Sequence, residues 1–241
     1  MKDLGTKADP QRDSVTVDGR STRPARLRYL LFHNPVGVVS TMADPERRPC
    51  LGDMLRRERT RVFPVGRLDY ESSGLILLTN DGDMAERLSH PRFGIAKVYR
   101  VKVKGHPTHA ALERLASGLR LTDGPTAPAD VMVESQLDRK TRLQITLREG
   151  RQRQVRRMFE AIGCPVDRLS RVQIGPLKLG RLPIGEMREL EPRELEALHR
   201  AIREPGLPPE GRVLVTARAA RAGSRTRRTE TKVSKPRRKP A

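Results

Sequence analysis

The sequence predicts an α+β fold: a mainly antiparallel, mixed sheet flanked by helices, followed by a basic C-terminal tail. Three observations carry this expectation. Strand-like and helix-like segments are mixed without a regular strand–helix–strand alternation. The clearest strand candidates alternate apolar and polar side chains, as strands do when one sheet face is solvated. The clearest helix candidates repeat apolar residues at i, i+3, i+4 and i+7.

Residues 1–25 are polar, lack sustained periodicity and read as a flexible leader. From Leu27 to Phe32 the chain becomes strand-like, and Pro35-Val36-Gly37 supplies a turn before Val38-Val39. Arg47 to Arg61 is charged and reads as a surface helix or loop. Leu75 to Leu78 is a short apolar run, read as a buried strand. Asn80-Asp81-Gly82 ends it, and Asp83 to Leu88 is a short helix stopped before Pro91. Lys97 to Lys104 alternates, with Tyr99, Val101 and Val103 on one face and Arg100, Lys102 and Lys104 on the other. Thr108 caps a helix through Leu115, with Gly118 near its end.

Arg142 to Arg148 alternates again, with Leu143, Ile145 and Leu147 inward. Gly150 is expected to open a helix on which Val155, Met158, Phe159 and Ile162 form the apolar stripe. Arg153, Arg156, Arg157 and Glu160 fall on another face, and Gly163 and Pro165 stop it. Residues 192–203 form a last helix, begun by Pro192 and striped by Leu195, Leu198 and Ile202. The core domain therefore spans 26–204. Residues 205–241 read as a disordered tail: from Arg212 onward eleven basic residues face one acid, Glu230.

Lys and Arg outnumber Asp and Glu by 49 to 29, a formal charge of +20. Such an excess favours an anionic polymer, because each neutralised phosphate releases a counterion. A basic membrane-surface protein needs an amphipathic helix with bulky apolar anchors, and the tails show none. There is no secretory h-region and no apolar run of membrane-spanning length, so the cytoplasm is the expected compartment. The two cysteines, Cys50 and Cys164, make no disulfide framework or zinc spacing. With seven aromatic residues and no Trp, RNA recognition should lean on phosphates and shape, with one or two stacking rings at most. No phosphate-binding glycine loop and no His-Glu-x-x-His is present. Asn80-Asp81-Gly82-Asp83 fails as a calcium loop, since Leu77 and Leu88 would occupy the end positions.

One run stands out: Val65-Gly66-Arg67-Leu68-Asp69-Tyr70-Glu71-Ser72-Ser73-Gly74-Leu75-Ile76-Leu77-Leu78-Thr79-Asn80-Asp81-Gly82. It sets Asp69 in a glycine-bounded turn between apolar strand-like segments. A carboxylate partly desolvated for reactivity but kept charged by a guanidinium suits nucleophilic work. Arg67, two residues away, is read as shaping the turn, and the cluster Arg151, Arg153, Arg156 and Arg157 as the candidate source of a guanidinium for the carboxylate. The plainer alternative is a surface ion pair in a turn. Tyr99 is by parity a core tyrosine, or a ring that stacks on a base. The arginine helix is a solvated face, or a phosphate contact and a partner for Asp69.

That run resembles the signature of pseudouridine synthases, in particular the RsuA-like family acting on ribosomal RNA. Three further stretches are similar to the same family: Tyr29 to Thr41, Lys97-Val98-Tyr99-Arg100-Val101, and Glu149 to Phe159. All four stand in the family's order. The resemblance implies a pseudouridine-synthase core and a catalytic domain over 26–204. It implies that a uridine flips into the pocket, Asp69 attacks it, Tyr99 stacks on the base and Arg156 pairs with Asp69. Arg67, Arg151, Arg153 and Arg157 are the candidate substrate contacts, and no metal or organic cofactor is implied. The residues do not encode the oligomeric state legibly, and a monomer is the default expectation. Some 25 residues precede the core, too few for the S4 RNA-binding domain of many relatives. Asp123-Gly124-Pro125-Thr126 also looks like the large-subunit members without that domain. Departures from the family pattern are His33-Asn34-Pro35, where Asn-Lys-Pro is usual, and Gln152, where Asn is usual. The rival from another class is an RNA-binding or ribosome-assembly protein without activity.

Overall fold

The computed structural model describes residues 15–17, 19–22, 25–56, 58, 60–204 and 213–215. A hairpin of β1 (Val15–Val17) and β2 (Arg20–Thr22) comes first, followed by β3 (Tyr29–Asn34), α1 (Leu51–Met54), β4 (Phe63–Val65) and β5 (Ser72–Thr79). Next come α2 (Gly82–Ser89), β6 (Lys97–Lys104), α3 (His109–Ser117) and a small hairpin of β7 (Arg120–Leu121) and β8 (Gly124–Pro125). The remainder is β9 (Asp130–Gln136), β10 (Lys140–Leu147), α4 (Gln154–Ala161), β11 (Val166–Ile174), β12 (Leu177–Lys178), β13 (Met187–Glu189), α5 (Pro192–Arg203) and β14 (Val213–Val215).

Ten of these strands make one sheet in the order β13-β3-β5-β11-β6-β10-β9-β14, with β4 paired to β5 and β12 to β11. Only β5–β11 and β9–β14 are parallel. The expected mainly antiparallel α+β architecture is what forms. β5 is apolar on both sides because both are covered. Leu75 and Leu77 pack with Met84 and Leu88 of α2 and Leu198 and Ile202 of α5. Ile76 and Leu78 pack with Phe32 and with Leu51 of α1. β6 and β10 are covered on one face, where Val101, Val103, Leu143 and Ile145 meet Leu115 of α3 and Met158 and Phe159 of α4. Each such fully buried large side chain contributes roughly 1.5–3 kcal/mol by leaving water.

Local signals set the helix ends. The Thr108 side chain accepts from the Ala111 amide at 3.2 Å, and Gly118 ends α3. Asp81 accepts from the Met84 amide at 3.0 Å at the start of α2. α5 begins at Pro192, behind a reciprocal Glu191/Glu194 capping box.

Two sequence expectations change. α4 starts at Gln154 rather than Gly150: Arg153 takes a left-handed φ of 49°, which breaks the helical path, so 149–153 is a loop. Within 205–241, the described residues Val213–Val215 form an edge strand beside Val131–Val133, because an apolar triplet can extend the sheet whatever the charge around it. The rest of that segment, and most of the 1–25 leader apart from the β1–β2 hairpin, lies outside the described residues. Among the described residues no helix is long and apolar enough to cross a membrane.

Candidate active site

Asp69 sits in the link between β4 and β5, and the backbone on both sides of it is held. Gly66 adopts φ 72°, a left-handed conformation that favours glycine. Leu68 is buried, and Ser40 clamps it: the hydroxyl donates to the Leu68 carbonyl at 3.1 Å and accepts from its amide at 3.0 Å. The Ser72 amide donates to the Asp69 carbonyl at 2.8 Å, and the Gly37 amide donates to the Tyr70 carbonyl at 2.8 Å. The Asp69 side chain is left half-buried in the wall of a cavity of about 440 Å³.

The cavity lies where β5, β11 and β6 meet below the loop before α4. Tyr99 lines it from near the start of β6, in register between Ile145 of β10 and Arg171 of β11. Arg67, Arg151 and Arg153 also line it, so five of the seven residues singled out from sequence meet at one place. Arg67 and Arg153 are exposed, and Arg153 pairs with Glu71 at 2.9 Å. Arg151 is largely committed inward. It donates to the carbonyls of Gly124 at 3.2 Å and of Pro125, tying the cavity wall to the β7–β8 hairpin.

Arg156 and Arg157 are not in that lining. Arg156 is buried, but its guanidinium donates to the Glu71 carbonyl at 2.8 Å and lies 3.7 Å from the Glu71 carboxylate. The expected Arg156–Asp69 pair is therefore not formed. One turn into α4, Arg156 reaches the chain two residues past Asp69, where Glu71 offers both a carbonyl and a carboxylate. Arg157 pairs with Asp123 at 2.8 Å instead of facing the cavity. These guanidinium contacts hold both carboxyls below their ordinary values. For Glu71 the first cause is the hydrogen bond from Arg153, and for Asp123 that from Arg157.

Two lining residues were not singled out from sequence, Lys97 and Arg171. Arg171 is 2 % exposed; it donates through Nε to the Leu75 carbonyl at 2.8 Å and through Nη1 to the Arg67 carbonyl at 3.5 Å. It reaches this place because β11 passes very close to Gly74: a Cβ there would lie 2.3 Å from the Arg171 carbonyl oxygen. That close approach explains the glycine in the Ser72-Ser73-Gly74 stretch. Burial, and secondarily the charge of Arg171, lower the Lys97 ammonium to about 8. Each of the two carries a readable signal, a cation at the inward parity of a strand. Among the described residues no cluster of three or more His, Cys, Asp or Glu side chains is placed to hold a metal ion.

Residues 28–161 match the model of the RNA pseudouridylate synthase family. The chain belongs to that family. Its similarity to relatives is high enough to place it in the RsuA-like branch. It is 43% identical over 209 residues to the ribosomal large subunit pseudouridine synthase B of Bacillus subtilis, covering 86% of this chain and 84% of that protein. It is 39% identical over 203 residues to an uncharacterized RNA pseudouridine synthase of Aquifex aeolicus, covering 84% and 82%. Among solved structures, a pseudouridylate synthase crystal structure aligns with a TM-score of 0.66 at 29% identity, covering 80% of this chain and 83% of that one. The family match spans β3 to the end of α4 and contains Asp69, Tyr99 and the arginine cluster.

Proposed function

We propose that this pseudouridine synthase isomerises uridine in large-subunit ribosomal RNA, in the cytoplasm and as a monomer. The observation that carries the reading is the cavity itself: a carboxylate on a fixed turn, a strand-held tyrosine and a basic rim, in a chain 43% identical to a large-subunit enzyme. A uridine leaves its stack and enters the cavity. Asp69 acts as nucleophile, at the ribose C1′ or at the uracil ring, and Tyr99 lies against the base and assists proton removal.

Arg156 supports the site from behind, through the Glu71 carbonyl beside the Asp69 turn. Arg67 and Arg153 at the mouth meet RNA phosphates, while Arg151 and Arg157 brace the β7–β8 hairpin as a wall for the RNA. No metal or organic cofactor enters this scheme. Beyond Val215, a tail with ten basic residues against Glu230 serves as an electrostatic tether.

The test is tritium release from ribosomal RNA labelled at uracil C5, comparing the wild type with Asp69→Asn. Release that requires Asp69 supports the reading. Tight RNA binding without release from any ribosomal RNA turns it toward a binding protein.

A further inference from the structure

The arginines of the α4 region and the cations at the bottom of the cavity differ in one respect. Arg151, Arg153, Arg156 and Arg157 each have a carboxylate within 4 Å. Lys97 and Arg171 have none among the described residues. Arg171 is held by backbone carbonyls alone, and its Nη2 is buried with no hydrogen-bond partner. An unsatisfied buried donor and two adjacent like charges are both unfavourable. An electron-rich ligand would relieve both.

Strand geometry says where such a ligand lies. Arg171 is the cross-strand neighbour of Tyr99, so their side chains leave the sheet on the same face with Cβ atoms about 4.5–5.5 Å apart. Lys97 precedes Tyr99 by two residues and shares that face, about 6.6 Å along the strand. The two cations therefore flank the ring of Tyr99. The exposed arginines lie at the mouth, where an RNA backbone passes. Phosphates are met at the rim, and the edge of an inserted base at the floor.

We propose that Lys97 and Arg171 form a two-cation floor that receives the carbonyl edge of the uracil ring and stabilises the negative charge the base carries during isomerisation. This rests on the reading that Tyr99 lies against the target base. The reaction breaks the C1′–N1 bond and forms C1′–C5; C5 loses a proton to solvent and N1 gains one. If Asp69 attacks C1′, the C1′–N1 electron pair leaves with the base and spreads from N1 to O2 and O4. If Asp69 adds to the ring at C6, the C5–C6 π pair is pushed toward O4. Either route places charge on a carbonyl oxygen, and cations held on strands, Arg171 among them buried, stabilise it without reorganising.

The experiment is single-turnover tritium release, with RNA affinity measured in parallel, for Lys97→Gln, Lys97→Arg and Arg171→Lys in the full chain. Lys97→Gln is expected to slow release roughly 10- to 100-fold with RNA affinity within about threefold of wild type, and Lys97→Arg to recover most of the rate. The wild-type kcat/KM is expected to fall as pH rises past about 8, where Lys97 loses its proton, and Lys97→Arg to remove that fall. The charged or titratable groups around Lys97 are Arg171 on β11, Arg67 and Asp69 in the turn, Glu149, Arg151 and Arg153 in the loop before α4, and Tyr99 on its own strand.

Unchanged release by Lys97→Gln, or affinity lost by the same factor as rate, overturns the floor. Lys97 is only partly buried, so its substitution reads out even if Arg171→Lys fails to fold. Asp69→Asn run alongside separates the two claims. Release that persists without Asp69 overturns the nucleophile but leaves the Lys97 effect measurable, whereas a wild type with no release overturns both.

Discussion

The cations around α4 and the two that flank Tyr99 differ in their partners. Around α4 every guanidinium is matched by an acid: Arg153 and Arg156 by Glu71, Arg157 by Asp123, Arg151 by Asp123 and Glu149. These pairs fasten α4 to the start of β5 and to the β7–β8 hairpin, and so shape the cavity wall. Beside Tyr99, Lys97 and Arg171 are left without acids among the described residues, on strands that line the cavity. The matched pairs hold the cavity wall in place, while Lys97 and Arg171 keep a charge that no acid of the described residues neutralises, which is the basis of the proposed floor.

Asp69→Asn gives the largest effect expected: turnover falls by roughly 10³-fold or more, with RNA affinity equal or better, measured by tritium release and filter binding. Affinity lost along with turnover would make Asp69 a structural residue and remove the reason for an unmatched floor. Arg156→Gln comes next. It leaves the Glu71 carbonyl without its donor, so denaturant unfolding should show a loss of about 1–3 kcal/mol together with a lower kcat. Lys97→Gln should lower the rate with no comparable loss of stability, and if both variants behave alike the distinction between matched and unmatched cations fails.

Truncation after Val215 is expected to weaken RNA binding and flatten its dependence on salt, since the removed segment holds ten basic residues and one acid. An unchanged slope of log affinity against log salt rules out the tether. The smallest effect belongs to Glu71. Its carboxyl is lowered from 4.5 by Arg153 and Arg156, so the stabilisation is fully present above that value and is lost as pH falls through the lower folded value. Melting temperatures of wild type and Glu71→Gln should converge in acid and separate only slightly at neutral pH, because the pair is largely exposed.

Much of the fold is legible in residue patterns. The alternation in Lys97–Lys104 and in Arg142–Arg148, the apolar run of β5, and the stripes of α4 and α5 all match elements of the structure, the second lying in β10. β11 is harder to read. Its sequence Val-Asp-Arg-Leu-Ser-Arg-Val-Gln-Ile places Arg171 at an inward parity and contains register shifts that interrupt the period of two. The strand obscured by that irregularity also supplies Arg171, one of the two lining residues that the sequence reading does not single out. The start of α4 departs from the spacing for a local reason: apolar periodicity marks the helix body, while the left-handed Arg153 that precedes it leaves no mark in that periodicity.

The sequence by itself determined the α+β class, the turn that carries Asp69, the inward face of Tyr99 and the family, because these depend on local periodicity and on a contiguous run of residues. Only the tertiary structure decided which cations meet which acids. Arg156 is 87 positions from Asp69 in the chain yet ends beside Glu71, while Arg171, 102 positions away, ends under the Asp69 turn. That choice is made by the parallel pairing of β5 with β11 across Gly74, where the missing side chain lets two backbones approach. A long-range contact of this kind is set by packing, which no local window of sequence contains.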